Sequence, residues 1–171
     1  MVLFSFLINP RKKYRKYSFQ FWNSFQNSYL CDMKKYPLEV SELPQLNDPM
    51  AIYQYVASAK PDWKGFEMFD QVIELADDVK AKWLNITTRT LHNYRTKGAE
   101  IKNQMKEQIV MILALYRHGL QVFANQTEFE KWLQTPNVMW ENQRPLDFME
   151  TKVGIDFIES RLMGLEYGEA I

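Results

Sequence analysis

The chain has 171 residues, a formal net charge of zero and a single cysteine, Cys31, with 46% of its residues apolar and 15% aromatic. That length and apolar content support one or two small folded domains and exclude a wholly disordered chain. The lone thiol excludes an internal disulfide or a cysteine-rich metal site and fits a reducing, cytoplasmic setting.

No apolar run approaches the length that spans a bilayer. The opening VLFSFLI lacks the basic start and small-residue cleavage site of a signal peptide, so no membrane partner is expected. The zero net charge conceals a segregation. Met1 to Tyr36 carries seven bases (Arg11, Lys12, Lys13, Arg15, Lys16, Lys34, Lys35) against Asp32. Asp77 to Lys102 carries six bases against three acids, and Gln126 onward carries nine acids against four bases. A basic middle followed by an acidic end points to two partners of opposite charge.

Residues 1–46 read as an extension expected to be disordered or poorly ordered. Within it, KKYRKYSFQFWNSFQNSY interleaves bases and aromatics ahead of an internal methionine, Met33. A nucleic-acid-binding arm, a membrane-surface segment and an unstructured extension preceding a start at Met33 all fit this texture. The extension is the favoured reading, because termini are poorly ordered unless tied down.

From Asp48 on, the pattern is helical. Asp48-Pro49 reads as a cap plus first-turn proline for MAIYQYVASA. FEMFDQVIEL follows, with Phe66, Phe69, Val72, Ile73 and Leu75 as its apolar face. Asp77-Asp78 opens a short helix, DDVKAKWL. Asn85-Ile86 forms a turn, and Thr87 caps a second helix, TRTLHNYRT, whose Leu91 faces inward. This is helix-turn-helix spacing. A second helix that enters the major groove needs short polar side chains and arginines on its leading turns. Thr87, Thr88, Arg89, His92, Asn93 and Arg95 supply them, and Lys97 and Lys102 are placed to neutralise phosphates.

Glu100 to Phe123 is the best helix candidate. Ile101, Met105, Ile109, Ile112, Tyr116, Leu120 and Phe123 advance by threes and fours, and the further apolar residues make it a central strut buried on two sides. The methionines read as packing. Beyond it, Trp132-Leu133 ends an apolar turn and Pro136-Asn137 breaks it. Pro145 opens a short helix, PLDFME. Thr151 caps a last helix carrying Ile155, Ile158, Leu162 and Leu165, and Glu166-Tyr167-Gly168 stops it. Trp132, Leu133, Phe148, Ile155, Ile158 and Leu162 are expected in the core. Trp140, Glu141, Arg144, Glu159, Arg161, Glu166, Tyr167 and Gly168 are left to face a partner.

The order W-L, P-N, P-L-D, T-x-x-G, a leucine helix and E-Y-G resembles the toxin-binding domain of the Xre/MbcA/ParS-type antitoxins, and LNITTRTLHNYR resembles the DNA-reading stretch ahead of it. Two positions depart from the family pattern: Phe123-Ala124-Asn125 replaces a phenylalanine-glycine-acid turn, and Met139-Trp140-Glu141-Asn142 replaces a leucine-glycine-glycine stretch. The resemblance implies an all-α protein, with an Xre-like helix-turn-helix domain over 47–123 and a toxin-binding domain over 124–171. It implies an antitoxin that neutralises a RES-type, NAD-degrading toxin and represses its own operon by binding operator DNA, as a homodimer within a larger complex. It also implies an acidic tail, Glu166-Tyr167-Gly168-Glu169, that enters the toxin's cleft. The competing reading is a stand-alone helix-turn-helix regulator whose C-terminal helices serve dimerisation.

An enzyme is not expected, nor a cofactor or metal. The sequence has two histidines, His92 and His118, no Cys–His cluster, no H-E-x-x-H and no glycine-rich phosphate loop among its six glycines. His118 reads as a cation near the last carbonyls of the long helix.

Overall fold

A computed structural model describes residues 43–59, 63–97 (apart from the side chain of Lys97), 100–123 and 125–168, all within one compact unit, Pro37–Ile171. Most of the extension read over 1–46, together with the Lys97 side chain, Ala124 and Glu169, lies outside the described residues. Those described residues form eight α-helices and one 3-10 turn, with no strand among them. The helices are α1 Pro49–Ala57, α2 Gly65–Val72, α3 Asp77–Trp83, α4 Thr88–Lys97, α5 Asn103–Val122, α6 Gln126–Gln134, α7 Pro145–Phe148 and α8 Lys152–Glu166.

Helix α5 is the spine. Ile109 through Tyr116 are all buried, and α1, α2, α6 and α8 pack around it. An eight-residue run without a charged side chain, whose one hydroxyl, on Tyr116, bonds to Glu130, has no face suited to water, which is why this helix sits inside a ring of others. Leu43 and Leu46, at the end of the segment read as an extension, are also buried, and the Arg117 guanidinium donates to the carbonyls of Leu43 and Pro44.

Side-chain caps fall where short polar residues precede apolar runs. Asp48 accepts from the amide of Ala51, Thr87 from Thr90, Asn125 from Glu128 and Thr151 from Gly154. Helix α2 stops at Val72 rather than continuing through Leu75. The chain turns extended at Ile73, which sends Ile73 and Leu75 inward while the Glu74 amide donates to the Glu130 carboxylate at 3.1 Å. A period-two stretch thus follows the helix with the same residues buried.

Asp77 does not cap α3 with its side chain. After Trp83 the chain closes in a Schellman motif: the amide of Ile86 reaches the Ala81 carbonyl and that of Asn85 the Lys82 carbonyl, both at 3.0 Å, with Asn85 at φ 53°. Asparagine tolerates this left-handed position better than most side chains.

The methionines divide. Met68, Met111 and Met149 are buried, as packing predicts, but Met50 and Met139 are exposed.

Candidate functional site

Helix α4 is fixed from below by charge. Arg95 grips two carboxylates: Nε lies 2.8 Å from Asp70 Oδ2, and its terminal nitrogens lie 2.5–2.6 Å from Asp70 Oδ1 and both Asp77 oxygens. The buried Lys80 ammonium completes the cluster, 2.9 Å from the Asp70 carbonyl and 3.2 Å from its Oδ1. Burial pushes the Asp70 carboxyl up, but the hydrogen bonds from Arg95 and Lys80 outweigh that and hold it below the usual range. Arg95, expected to reach DNA, ties α4 to α2 and α3. The sequence places these carboxylates 18 and 25 positions away, too far for any local pattern to reveal the pairing.

Among the residues α4 exposes are Thr88, Arg89, His92, Arg95 and Thr96, with Asn93 half-covered. The Thr87 hydroxyl is held by the Thr90 amide and hydroxyl. Arg89 forms no ion pair with a described residue.

The helix pair α3–α4 is joined to the C-terminal segment by buried hydrogen bonds. Trp83 is fully buried, and its indole N–H donates to the Leu146 carbonyl at 2.9 Å. The Gln108 amide bridges the carbonyls of Trp83 (3.2 Å) and Met149 (3.0 Å). Lys82 pairs with Glu150 at 2.7 Å, and the Asn85 amide donates to the Glu150 carbonyl. Helix α5 serves both halves.

The C-terminal segment presents a ladder of aromatic rings. Trp132 and Phe148, expected in the core, are half-buried, because each is one rung of a surface run rather than an interior residue. Trp140 stands edge-on to Trp132, Phe148 and Phe157, with centroids 6.4, 6.1 and 5.3 Å away. Arg161 lies over Phe157 at 5.4 Å. Above Trp140 the chain makes a tight loop, closed by the Asn137–Gln143 bridge and by the Asn137 side chain accepting from the Met139 amide. Glu141 and Asn142 adopt φ 55° and 60° there, a conformation non-glycine residues hold only where the surroundings impose it. The loop holds Val138 and Met139 outward, 80% and 79% exposed. Sequence reading missed this pair. Its signal was the V-M dipeptide wedged between the P-N break and the polar Glu141–Arg144 run, where no helical face exists to cover it.

The remaining expected contacts separate. Glu141, Arg144, Glu166, Tyr167 and Gly168 are exposed, and Arg161 is half-buried. Arg144 is locked to Asp147 by Nε–Oδ2 and terminal N–Oδ1 contacts of 2.9 and 2.8 Å, within a capping box. Glu159, expected on the polar face of the last helix, is instead buried and bonded to His118 Nδ1 at 2.9 Å. The stripe that packs on α5 is wide enough to take it in, and the imidazole opposite gives the carboxylate a partner.

Residues 118–168 match the family described as the antitoxin Xre/MbcA/ParS C-terminal toxin-binding domain. The match begins at His118 and takes in the aromatic ladder, the exposed loop and α8. It supports an antitoxin role with a toxin as partner. No curated protein matches the chain. Among the described residues no helix is long and apolar enough to cross a membrane.

Proposed function

We propose that this chain is the antidote half of a type II toxin–antitoxin pair. Residues 124–171 bind and neutralise a cognate RES-type, NAD-degrading toxin, while residues 47–123 bind operator DNA through a helix-turn-helix formed by α3 and α4 and repress the operon. The protein acts by stoichiometric binding as a homodimer within the larger complex. The observation that carries this reading is the family match over 118–168.

Within the matched segment the contact surface is the loop Val138–Glu141 with Trp140 beneath it, continued by Arg161 and the tail Glu166-Tyr167-Gly168. Exposed apolar residues on a rigid loop, backed by aromatic rings, are what a partner's pocket can bury. The DNA half is supported by the capped α4 and by the outward Thr88, Arg89 and His92. Arg95 and Thr87 take structural parts in that helix.

Co-expression of the full chain with the product of the neighbouring gene, followed by capture of this chain, tests the toxin half. A stable stoichiometric complex is expected, and two proteins that elute separately would reject it. A gel shift with the operon's promoter tests the DNA half. Arg89→Ala is expected to weaken binding by about 1–3 kcal/mol if Arg89 reads a base, or to lower the salt slope by about one if it meets a phosphate. No shift with the wild-type chain would leave a toxin-binding protein without a repressor role.

A further inference from the structure

His118 lies near the end of the spine helix α5, facing α8. Its Nδ1 is 2.9 Å from Glu159 Oε1 and its Nε2 is 3.6 Å from Glu166 Oε2, so one imidazole spans two carboxylates set two helical turns apart. The imidazole and Glu159 are largely enclosed, with side chains 15% and 12% exposed, whereas Glu166 is 59% exposed. The second Glu159 oxygen is buried with no hydrogen-bond partner. The buried carboxylate therefore relies on His118 for its compensation. Arg117 and Asp156 are the other charged groups whose fields reach Glu159. Arg117 directs its guanidinium at the Leu43 and Pro44 carbonyls instead.

We propose that His118 is a pH-sensitive latch that fastens the last turn of α8, and with it Tyr167 and Gly168, onto α5. When the ring carries two protons, Nδ1 donates to Glu159 and the ring's positive charge, with Nε2 at 3.6 Å, pairs with Glu166. When it loses one, the proton on Nδ1 stays with the buried Glu159, and Nε2 turns a lone pair toward Glu166. The more exposed carboxylate then has no reason to stay, and the last turn of α8 loosens while its buried middle does not.

The hydrogen bond that Nδ1 donates to Glu159 raises the His118 pKa above the ordinary imidazole value against the opposing effect of burial, and the charges of Glu159 and Glu166 add to it. A folded-state value raised above the unfolded one means that the latch is complete below the unfolded pKa, near 6.5. It is lost as pH rises through the raised folded value. Under the antitoxin reading, the latch sets how firmly the tail is held for a partner. The latch itself stands without that reading.

Amide hydrogen exchange on the full chain, from about pH 5.5 to about pH 8.5, tests it, with rates referenced to unstructured exchange at each pH. Neither toxin nor DNA enters the measurement, so its failure is distinct from failure of the antitoxin assignment. Protection of residues 163–168 is expected to fall about two- to fivefold across the His118 titration, the span of an exposed ion pair, while Ile155 and Ile158 stay protected. In Glu166→Gln this pH dependence should vanish although His118, followed by the NMR signal of its ring protons, still titrates above the ordinary imidazole value. In His118→Gln the last turn should be weakly protected at every pH. Flat protection in the wild type overturns the latch, as does an unchanged pH response in Glu166→Gln. Should His118→Gln fail to fold, the exposed Glu166 position carries the test alone.

Discussion

Val138 and Met139 are among the large apolar side chains that the fold leaves exposed. Each exposes about four-fifths of its surface, so removing them takes little from the core. Replacing both with serine is expected to change unfolding free energy by less than about 0.5 kcal/mol. The same change should weaken toxin binding by more than about 1 kcal/mol, read by titration calorimetry. Equal loss of stability and binding would show that the loop is packed after all. Gly154 makes the opposite case. A Cβ there would lie 1.8 Å from the Phe148 carbonyl oxygen, which belongs to the backbone and cannot swing aside. Gly154→Ala is therefore expected to destabilise by about 1–3 kcal/mol, checked by denaturant unfolding. At Gly119 the clash would be with the Phe129 ring, at 2.4 Å, where α5 and α6 approach closely.

The helices themselves were largely legible, because the information that makes them is local. Asp48, Thr87 and Thr151 precede apolar runs at capping distance, and each accepts the expected amide. What was illegible is long-range pairing. The links from Trp83 to Leu146 and from Arg95 to Asp70 span 63 and 25 positions, and Glu159 meets His118 across 41. Periodicity gives a face but not its partner, so a charged residue on a wide apolar stripe was read as solvated. The loop over 137–143 was hidden for a related reason: left-handed positions at Glu141 and Asn142 carry no glycine to announce them. These cross-links have measurable weight. Gln108→Leu leaves two buried carbonyls without their donor and is expected to cost about 1–3 kcal/mol for each. Arg95→Ala should also lower stability, by about 1–3 kcal/mol, between the values for exposed and buried pairs. Were Arg95 instead a DNA contact alone, its removal would leave the melting curve unchanged. The Asp70 carboxyl, held below its ordinary value near 3.8, gives this network a pH signature. Its contribution is complete above that value and is lost as pH falls through the depressed folded pKa. Arg95→Ala should therefore shrink the gap to wild type in acid unfolding.

The unit is organised around one shared helix. Helix α5 carries α1, α2 and α8, with α8 paired to it from Lys152–Glu107 to Glu159–His118, and Gln108 on α5 holds Trp83 and Met149 together. The pair α3–α4 and the matched toxin-binding segment are thereby fixed on one frame. In the proposed function this frame presents a surface to another protein. Growth of cells expressing the neighbouring gene's product, with and without this chain, tests it most directly. The chain is expected to restore growth, and an equally abundant, folded Val138→Ser/Met139→Ser chain is expected not to. Equal growth with and without the chain, or full protection by the double variant, would contradict the account.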